Sequence, residues 1–238
     1  MVKVIVSGAC GKMGRRIIQL AKGDSQIDLI AGLEHEGHPD VGKEVEGVKI
    51  IGDYSQIKSC DCLIDFSAPV ATMAHIPHLI KFKKPVVVGT TGLAPDQQKV
   101  IQEASKAIAI VFSPNMSIGV NLLFRLVKMA GSVLKNYKIY IEEAHHIHKK
   151  DAPSGTAKRI AQILNEEGFS IKTEDIKAIR EDEIIGDHRI VFESGMDKIE
   201  LFHSAKTRDI FAQGAVRASK WVAGKKSGLY SMDEVLFD

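Results

Sequence analysis

Cysteine is scarce in this 238-residue chain: there are three, Cys10, Cys60 and Cys62. An odd, sparse set without a CxxC pair supports neither a disulfide framework nor a structural zinc site. Cys60 and Cys62 flank one residue at the start of an apolar run and read as packing residues. An excess of either charge is lacking too, since 32 basic and 30 acidic side chains leave a net charge of +2. That balance gives no reason to expect a nucleic-acid partner. No run approaches the roughly 18 consecutive apolar residues of a membrane helix. The opening Met1-Val2-Lys3-Val4-Ile5-Val6-Ser7-Gly8 is too short an apolar stretch for a signal peptide. No repeat or low-complexity segment is evident. The expectation is a soluble, cytoplasmic protein. With 45% hydrophobic and 26% charged residues the balance is that of a globular chain, and the length allows one large domain or two smaller ones.

What is present is a rhythm. Short β-branched runs at 2–6, 29–33, 49–51, 63–66, 85–89 and 108–112 alternate with helical stretches at 12–22, 70–82 and 96–107. Met13, Ile17, Ile18 and Ala21 share one face of the first helix. Nearly unbroken apolar strands separated by helices predict a parallel sheet covered on both sides, with ligands at the carboxyl ends of its strands. This is a Rossmann-like, doubly wound α/β pattern. After Asn115 the rhythm changes. A long helix at 120–134, with Leu123, Leu126, Val127 and Ala130 on its buried side, leads to a strand at 138–142 and a dense polar stretch at 142–156. A helix at 157–166 follows. Segments 190–193 and 198–202 alternate as antiparallel strands do, and a final helix at 212–223 carries the only tryptophan, Trp221. The expected organisation is a dinucleotide-binding domain of residues 1–116 plus 208–238, and a second, α+β domain of residues 117–207.

The first strand runs into Gly8-Ala9-Cys10-Gly11-Lys12-Met13-Gly14 and then a helix. Glycine permits the tight turn and lets backbone N–H groups approach a pyrophosphate seated at the positive end of the helix. The spacing is GxxGxxG rather than the usual GxGxxG. Glu34 lies twenty residues past Gly14, at the end of the second strand, where a carboxylate accepts hydrogen bonds from the adenosine ribose. The bland alternative is a tight turn and one surface glutamate, but strand, loop, helix and acid agree on a nicotinamide dinucleotide. Glu34 repels a 2′-phosphate, and His35 stands where an arginine would suit NADP. These favour NADH with NADPH tolerated, Lys12 adding some cationic field. Gly89-Thr90-Thr91-Gly92 and Ser113-Pro114-Asn115-Met116 end strands on the same sheet edge. They offer hydrogen bonds to the nicotinamide ribose and carboxamide, or are ordinary turn chemistry. Asp65-Phe66-Ser67 either lines the same crevice or caps the next helix.

The most informative segment is Glu143-Ala144-His145-His146-Ile147-His148-Lys149-Lys150-Asp151-Ala152-Pro153-Ser154-Gly155-Thr156-Ala157. Its histidines and lysines concentrate cationic surface just before a helix opens at Gly155 and Thr156. A helix start binds carboxylates or phosphates, lysine adds a compact charge, and histidine exchanges a proton near neutral pH. An anionic substrate and a proton-coupled reduction suit these parts. A solvated polar loop is the plain alternative. Metal ligation is a poorer one, because Lys149 and Lys150 repel a divalent cation and no acid or cysteine has ligand spacing; no metal is expected.

The segment EAHHIHKKDAPSGTA closely resembles the E-x-H-H-x-x-K-x-D-x-P-S-G-T-A signature of the dihydrodipicolinate reductase family, and the resemblance spans nearly the whole chain. It includes the GxxGxMG loop, Asp65-Phe66-Ser67, Gly89-Thr90-Thr91-Gly92, Ser113-Pro114-Asn115-Met116 and the late run from His203 to Arg217. The resemblance implies reduction of a small dicarboxylate heterocycle by NADH or NADPH in lysine and diaminopimelate biosynthesis. It also implies a homotetramer assembled through the second domain. By position it makes His145 the proton donor, Lys149 the lysine that engages substrate, and His146, Gly155 and Thr156 contacts to the substrate carboxylates. It makes Gly8, Ala9, Cys10, Gly11, Lys12, Met13, Glu34, His35, Gly89, Thr90, Thr91, Ser113, Pro114, Asn115 and Met116 the cofactor contacts. His35 departs from the arginine of some members. Closure over both ligands is expected to assemble the site. Another two-domain nicotinamide enzyme, an amino-acid or semialdehyde dehydrogenase, is the runner-up. An acylating version would need a cysteine in the second domain, and all three precede residue 63. A dinucleotide-sensing regulator would want a DNA-binding module, and no helix-turn-helix or basic stripe is visible.

Overall fold

The computed structural model describes residues 1–238. The chain opens with β1 (Val2–Ser7), α1 (Lys12–Lys22), β2 (Ile27–Leu33), β3 (Glu44–Val45), β4 (Val48–Ile51), β5 (Cys62–Asp65), α2 (Pro69–Phe82), β6 (Val86–Val88), α3 (Pro95–Ala104) and β7 (Ala109–Phe112). It continues through α4 (Ile118–Val133), β8 (Lys138–His145), α5 (Gly155–Glu166), β9 (Ile176–Arg180), β10 (Asp187–Glu193) and β11 (Lys198–Ser204). It closes with α6 (Asp209–Val222), β12 (Gly228–Tyr230) and α7 (Met232–Phe237). Two compact units result: Met1–Ser117 with Phe211–Asp238, and Ile118–Ile210.

Alternation along β1 explains the first unit. Val4 and Val6 join one buried cluster with Ile17 and Ile18 of α1 and Ala212 and Ala215 of α6, whereas Ile5 joins a second with Leu79 of α2 and Ile101 of α3. A strand apolar on both faces needs helices on both, and each fully buried Ile or Leu contributes roughly 1.5–3 kcal/mol. The sheet order is β12-β7-β6-β5-β1-β2-β4-β3. Every neighbouring pair is parallel except the two-residue β3 against β4. The doubly wound α/β expectation therefore holds.

The second unit is a four-stranded sheet of order β11-β10-β8-β9, antiparallel except for β8 with β9. Along β8 the inward positions are Ile139, Ile141, Glu143 and His145. Ile141 packs with Leu123 and Val127 of α4 and Ile160 and Leu164 of α5. The last two inward positions are polar and still buried. Outward, Tyr140 is 51% and Phe202 59% exposed.

Some elements differ from the sequence expectation. β8 runs on to His145, because β9 and β10 pair with it on both sides and hold polar residues in the ladder. β9, IKAIR, interleaves Ile176, Ala178 and Ile179 with Lys177 and Arg180 and gives no clear periodic signal. α6 is followed by β12 and α7, so the helix bearing Trp221 is not the last element.

Candidate active site

The carboxyl ends of five strands lie level in the first sheet. Ser7 pairs with Leu33 on one side and Asp65 on the other, Asp65 with Val88, and Val88 with Phe112. The loops at 8–13, 34–35, 89–91 and 113–116 therefore leave one edge of that sheet. Glycine is required in the first of them. Gly8 has φ +74°, and a Cβ on it would meet the Phe66 carbonyl oxygen at 2.3 Å. A Cβ on Gly14 would meet the Gly8 oxygen at 2.0 Å. Helix α1 then starts at Lys12 with no acid in its first turn, and Gly11 and Lys12 are exposed. Such a cradle, where side chains are excluded and a helix start faces outward, fits a pyrophosphate. The Cys10 amide donates to Glu34 Oε1 at 2.8 Å, so the acid ending β2 is fixed against the loop. Arg15 braces the same loop by donating from Nε to the Cys10 oxygen at 3.0 Å. His35 is exposed and meets His38 edge to face.

Not every predicted side chain faces outward. Ala9 and Met116 are buried in the core, so only their backbone groups are available to a ligand. The Thr90 hydroxyl is engaged with Thr72 at 3.0 Å and with Asp65. Ser113 Oγ donates to the Asn115 oxygen at 2.8 Å. These groups brace their loops from inside. Asp65 is fully buried; its Oδ2 pairs with His75 Nδ1 at 3.0 Å and its Oδ1 accepts from the Ser67 amide and hydroxyl. Burial alone would raise its carboxyl, but the bonds from His75, Ser67 and Thr72 outweigh it and hold it below the usual carboxylate range. His75 Nε2 in turn reaches Ser7 Oγ at 3.5 Å. Asp65-Phe66-Ser67 is thus both a helix-leading turn and a buried support of the sheet edge.

One Cys/His/Asp group is compact. Ligand atoms of Cys10, His38 and Asp40 lie within 4.8 Å of one another. His38 Nδ1 already accepts from the Asp40 amide at 3.2 Å. Burial, with the charges of Glu34 and Asp40, pushes the Cys10 thiol up to about 11. A thiol that stays protonated is a poor metal ligand. Burial pushes Cys60 up to about 12 and holds Cys62 well above the ordinary thiol value, as packing residues require.

The second cluster sits where β8 ends. His145 Nδ1 bonds Glu143 Oε2. Glu143 Oε1 accepts from Arg180 Nη2 at 2.8 Å and from the Ser154 amide at 3.1 Å. Ser154 caps α5, its Oγ accepting from the Ala157 amide at 3.2 Å, and that hydroxyl also meets His188 Nε2 at 3.2 Å. His188 stacks edge to face on His145 with centroids 5.3 Å apart. Burial lowers the His145 pKa, Lys149 and Arg180 lower it further, and Glu143 opposes them. Glu143 is held low despite its burial by Arg180 and His145. A neutral imidazole beside a charged carboxylate carries its proton on Nδ1, which leaves Nε2 as the working atom. Burial, with His145 beside it, drives His188 down to about 3, so it too is neutral. Lys149 Nζ donates to Asp151 Oδ1 at 2.7 Å. Gly155 is exposed with open space around its Cα, and α5 has no acid in its first turn.

Motif reasoning passes over Glu143 as a functional group, and over Ser154, Arg180, His188, His203 and His75. Strand alternation would have found Glu143, since it is two residues from His145 and shares its face. Ser154 precedes a helix as a capping serine does. Arg180 and the two distant histidines had no local signal, because only sheet pairing brings them together.

A family model described as "Dihydrodipicolinate reductase, N-terminus" matches residues 2–116, and one described as "Dihydrodipicolinate reductase, C-terminus" matches residues 119–236. The chain is 40% identical to a 4-hydroxy-tetrahydrodipicolinate reductase of Aquifex aeolicus (strain VF5), covering 99% of this chain and 98% of that protein. It is 38% identical to the protein of the same name from Syntrophus aciditrophicus (strain SB), with 99% and 98% covered. Among solved structures it is similar to a dipicolinate-bound dihydrodipicolinate reductase from Paenisporosarcina sp. TG-14, with TM-score 0.86, 23% identity, and 99% of this chain and 100% of that one covered. A C. glutamicum DAP dehydrogenase in complex with DAP shares the fold at TM-score 0.63 and 13% identity, with 99% and 95% covered.

Proposed function

Because this chain belongs to the dihydrodipicolinate reductase family, we propose that its two clusters divide one reduction, the first unit holding the reductant and the second holding and protonating the substrate. The activity itself is NAD(P)H-dependent 4-hydroxy-tetrahydrodipicolinate reduction in lysine and diaminopimelate biosynthesis. The nicotinamide cofactor supplies the hydride for an electron-poor ring carbon. Gly8, Gly11 and the α1 start hold its pyrophosphate, and Glu34 holds its ribose. Residues 89–91 and 113–116 line its nicotinamide half through backbone groups. The fixed carboxylate of Glu34 favours NADH over NADPH, because a 2′-phosphate would meet a like charge.

The substrate is a small dicarboxylate, the class to which the dipicolinate bound by the Paenisporosarcina relative belongs. Lys149, His146 and the amides of Gly155 and Thr156 engage its carboxylates. Asp151 orients the Lys149 ammonium at 2.7 Å. His145 gives the proton that the ring takes up after hydride addition. In the free protein its imidazole is neutral, and two arriving carboxylates favour the imidazolium, so the donor is charged by the substrate it serves. The observation that carries this reading is the buried His145–Glu143 pair at the end of β8, nine residues before the capped start of α5. Its test is turnover of freshly generated dihydrodipicolinate with each cofactor in parallel, in the parent, His145→Ala and Lys149→Ala. Normal turnover in His145→Ala would remove that residue from the mechanism.

The outward face of the second sheet supports self-association. Tyr140 and Phe202 stand exposed there beside the Arg189–Glu200 pair, and such a face is covered in an assembly. We infer a homotetramer built through it; light scattering that returned a monomer would refute this.

A further inference from the structure

Glu143 is a charge placed where charges are expensive. It is 1% exposed, and a carboxylate so far from water persists only inside a full set of donors. Its donors come from three separate stretches. His145 is the next inward residue of β8. Arg180 ends β9, directly opposite His145 in the parallel ladder. Ser154 is the cap of α5. The two carboxylate oxygens divide the work: Oε2 takes His145 Nδ1, while Oε1 takes the Ser154 amide at 3.1 Å and Arg180 Nη2 at 2.8 Å. Arg180 is itself anchored, since Nη2 also donates to the Asp151 oxygen at 2.6 Å and Nη1 to the Ile179 oxygen.

We propose that Glu143 and Arg180 form a paired positioning device: Glu143 turns His145 Nε2 toward the substrate and with the same carboxylate fixes the start of α5, and Arg180 holds that carboxylate and the Asp151 backbone through one guanidinium nitrogen. The inference rests on His145 as the proton donor. It joins the donor to the carboxylate cradle through a single side chain, so that a substrate seated on α5 meets an imidazole of fixed orientation. Lysine does not reproduce Arg180, because one ammonium cannot serve the Glu143 and Asp151 oxygens from one nitrogen and the Ile179 oxygen from a second, as Nη2 and Nη1 of the planar guanidinium do.

The pair also has a signature that a merely structural ion pair lacks. Glu143 favours the imidazolium of His145 and Arg180 disfavours it. The other charged or titratable groups facing His145 are Lys149 from the following loop and neutral His188 from β10, and both remain in every variant. A general acid loses activity as pH rises past its own pKa. Glu143→Gln therefore moves the descending limb of kcat to lower pH, and Arg180→Gln moves it to higher pH. Both lower kcat, on the order of ten- to a hundredfold through lost orientation, while NADH affinity stays at the parent value.

The experiment is a kcat–pH profile for the parent, Glu143→Gln, Arg180→Gln, Arg180→Lys and His145→Gln, with NADH affinity measured by fluorescence. Opposite shifts in the two neutralised variants, with the limb returned to its parental position but kcat still reduced in Arg180→Lys, support the proposal. Unmoved limbs, or limbs that move together, overturn it. A limb that persists in His145→Gln overturns the proton-donor reading instead, which separates the two failures. If Glu143→Gln does not fold, Arg180→Gln against Arg180→Lys carries the comparison, and a limb unmoved in both overturns the pair.

Discussion

The amide of Cys10 donates to Oε1 of Glu34 at 2.8 Å, so the third residue of the glycine turn and the acid ending β2 act as one hydrogen-bonded piece. The carboxylate proposed to meet the ribose cannot swing aside without breaking the turn proposed to meet the pyrophosphate. Glu34→Gln keeps the size and an acceptor oxygen but removes the charge. The ratio of kcat/KM for NADPH to that for NADH should rise on the order of tenfold, about 1.4 kcal/mol. An unchanged ratio would show that Glu34 does not set cofactor preference.

The same turn makes a second prediction. Gly14→Ala puts a Cβ 2.0 Å from the Gly8 oxygen, backbone against backbone, so one segment must move. Overpacking of this kind costs about 1–3 kcal/mol, and here the displaced segment is also the proposed cofactor cradle. Urea unfolding should show that loss, and added NADH should no longer raise the midpoint. A variant still protected by NADH would argue against this turn as the pyrophosphate site.

His145→Ala should lower kcat roughly a hundredfold or more, the contribution of a positioned general acid, with NADH affinity intact. Lys149→Ala should lower kcat and raise KM for the dicarboxylate together, because in the proposed mechanism the same charge binds the substrate and offsets the electron density its ring gains. Steady-state kinetics and cofactor fluorescence titrations separate the two patterns. A Lys149→Ala enzyme with parental kinetics would remove the lysine from the site.

Asp65 sets an acid limit on stability. Its folded carboxyl lies below the ordinary value, held there against burial by His75, Ser67 and Thr72. The folded state therefore binds the proton less readily than the unfolded chain. The stabilisation is complete above the ordinary Asp pKa of about 3.9 and is lost as pH falls below it. Asp65→Asn should destabilise the chain by roughly 3–5 kcal/mol at neutral pH, as removal of one partner of a buried pair does. It should also flatten the pH dependence below about 4. Thermal melts across that range would show both, and a parental melting temperature would sink the argument.

Fold class and the segment proposed to react are legible in the sequence because both are local. Apolar runs such as Val86–Val88 announce buried strands, and Gly8, Gly11 and Gly14 announce a turn where backbone crowds backbone. The polar stretch from His145 to Thr156 is contiguous, so its chemistry could be read in one line. Arg180 could not. It lies thirty-five residues beyond His145 on a short strand of mixed polarity, and reaches Glu143 only because β9 pairs in parallel with β8. The internal duties of Thr90 and Ser113 were equally hidden. A hydroxyl in a loop reads the same from sequence whether it turns outward or back onto Asp65 or the Asn115 oxygen.

Along β8 two sets of side chains alternate, Glu143 and His145 inward and Tyr140 and Glu142 outward. Because the period is two, a slip of one residue against β9 or β10 would trade one set for the other. The proposed reactivity and the proposed self-recognition are therefore written in a single reading frame, and no error in that frame could spoil one while sparing the other.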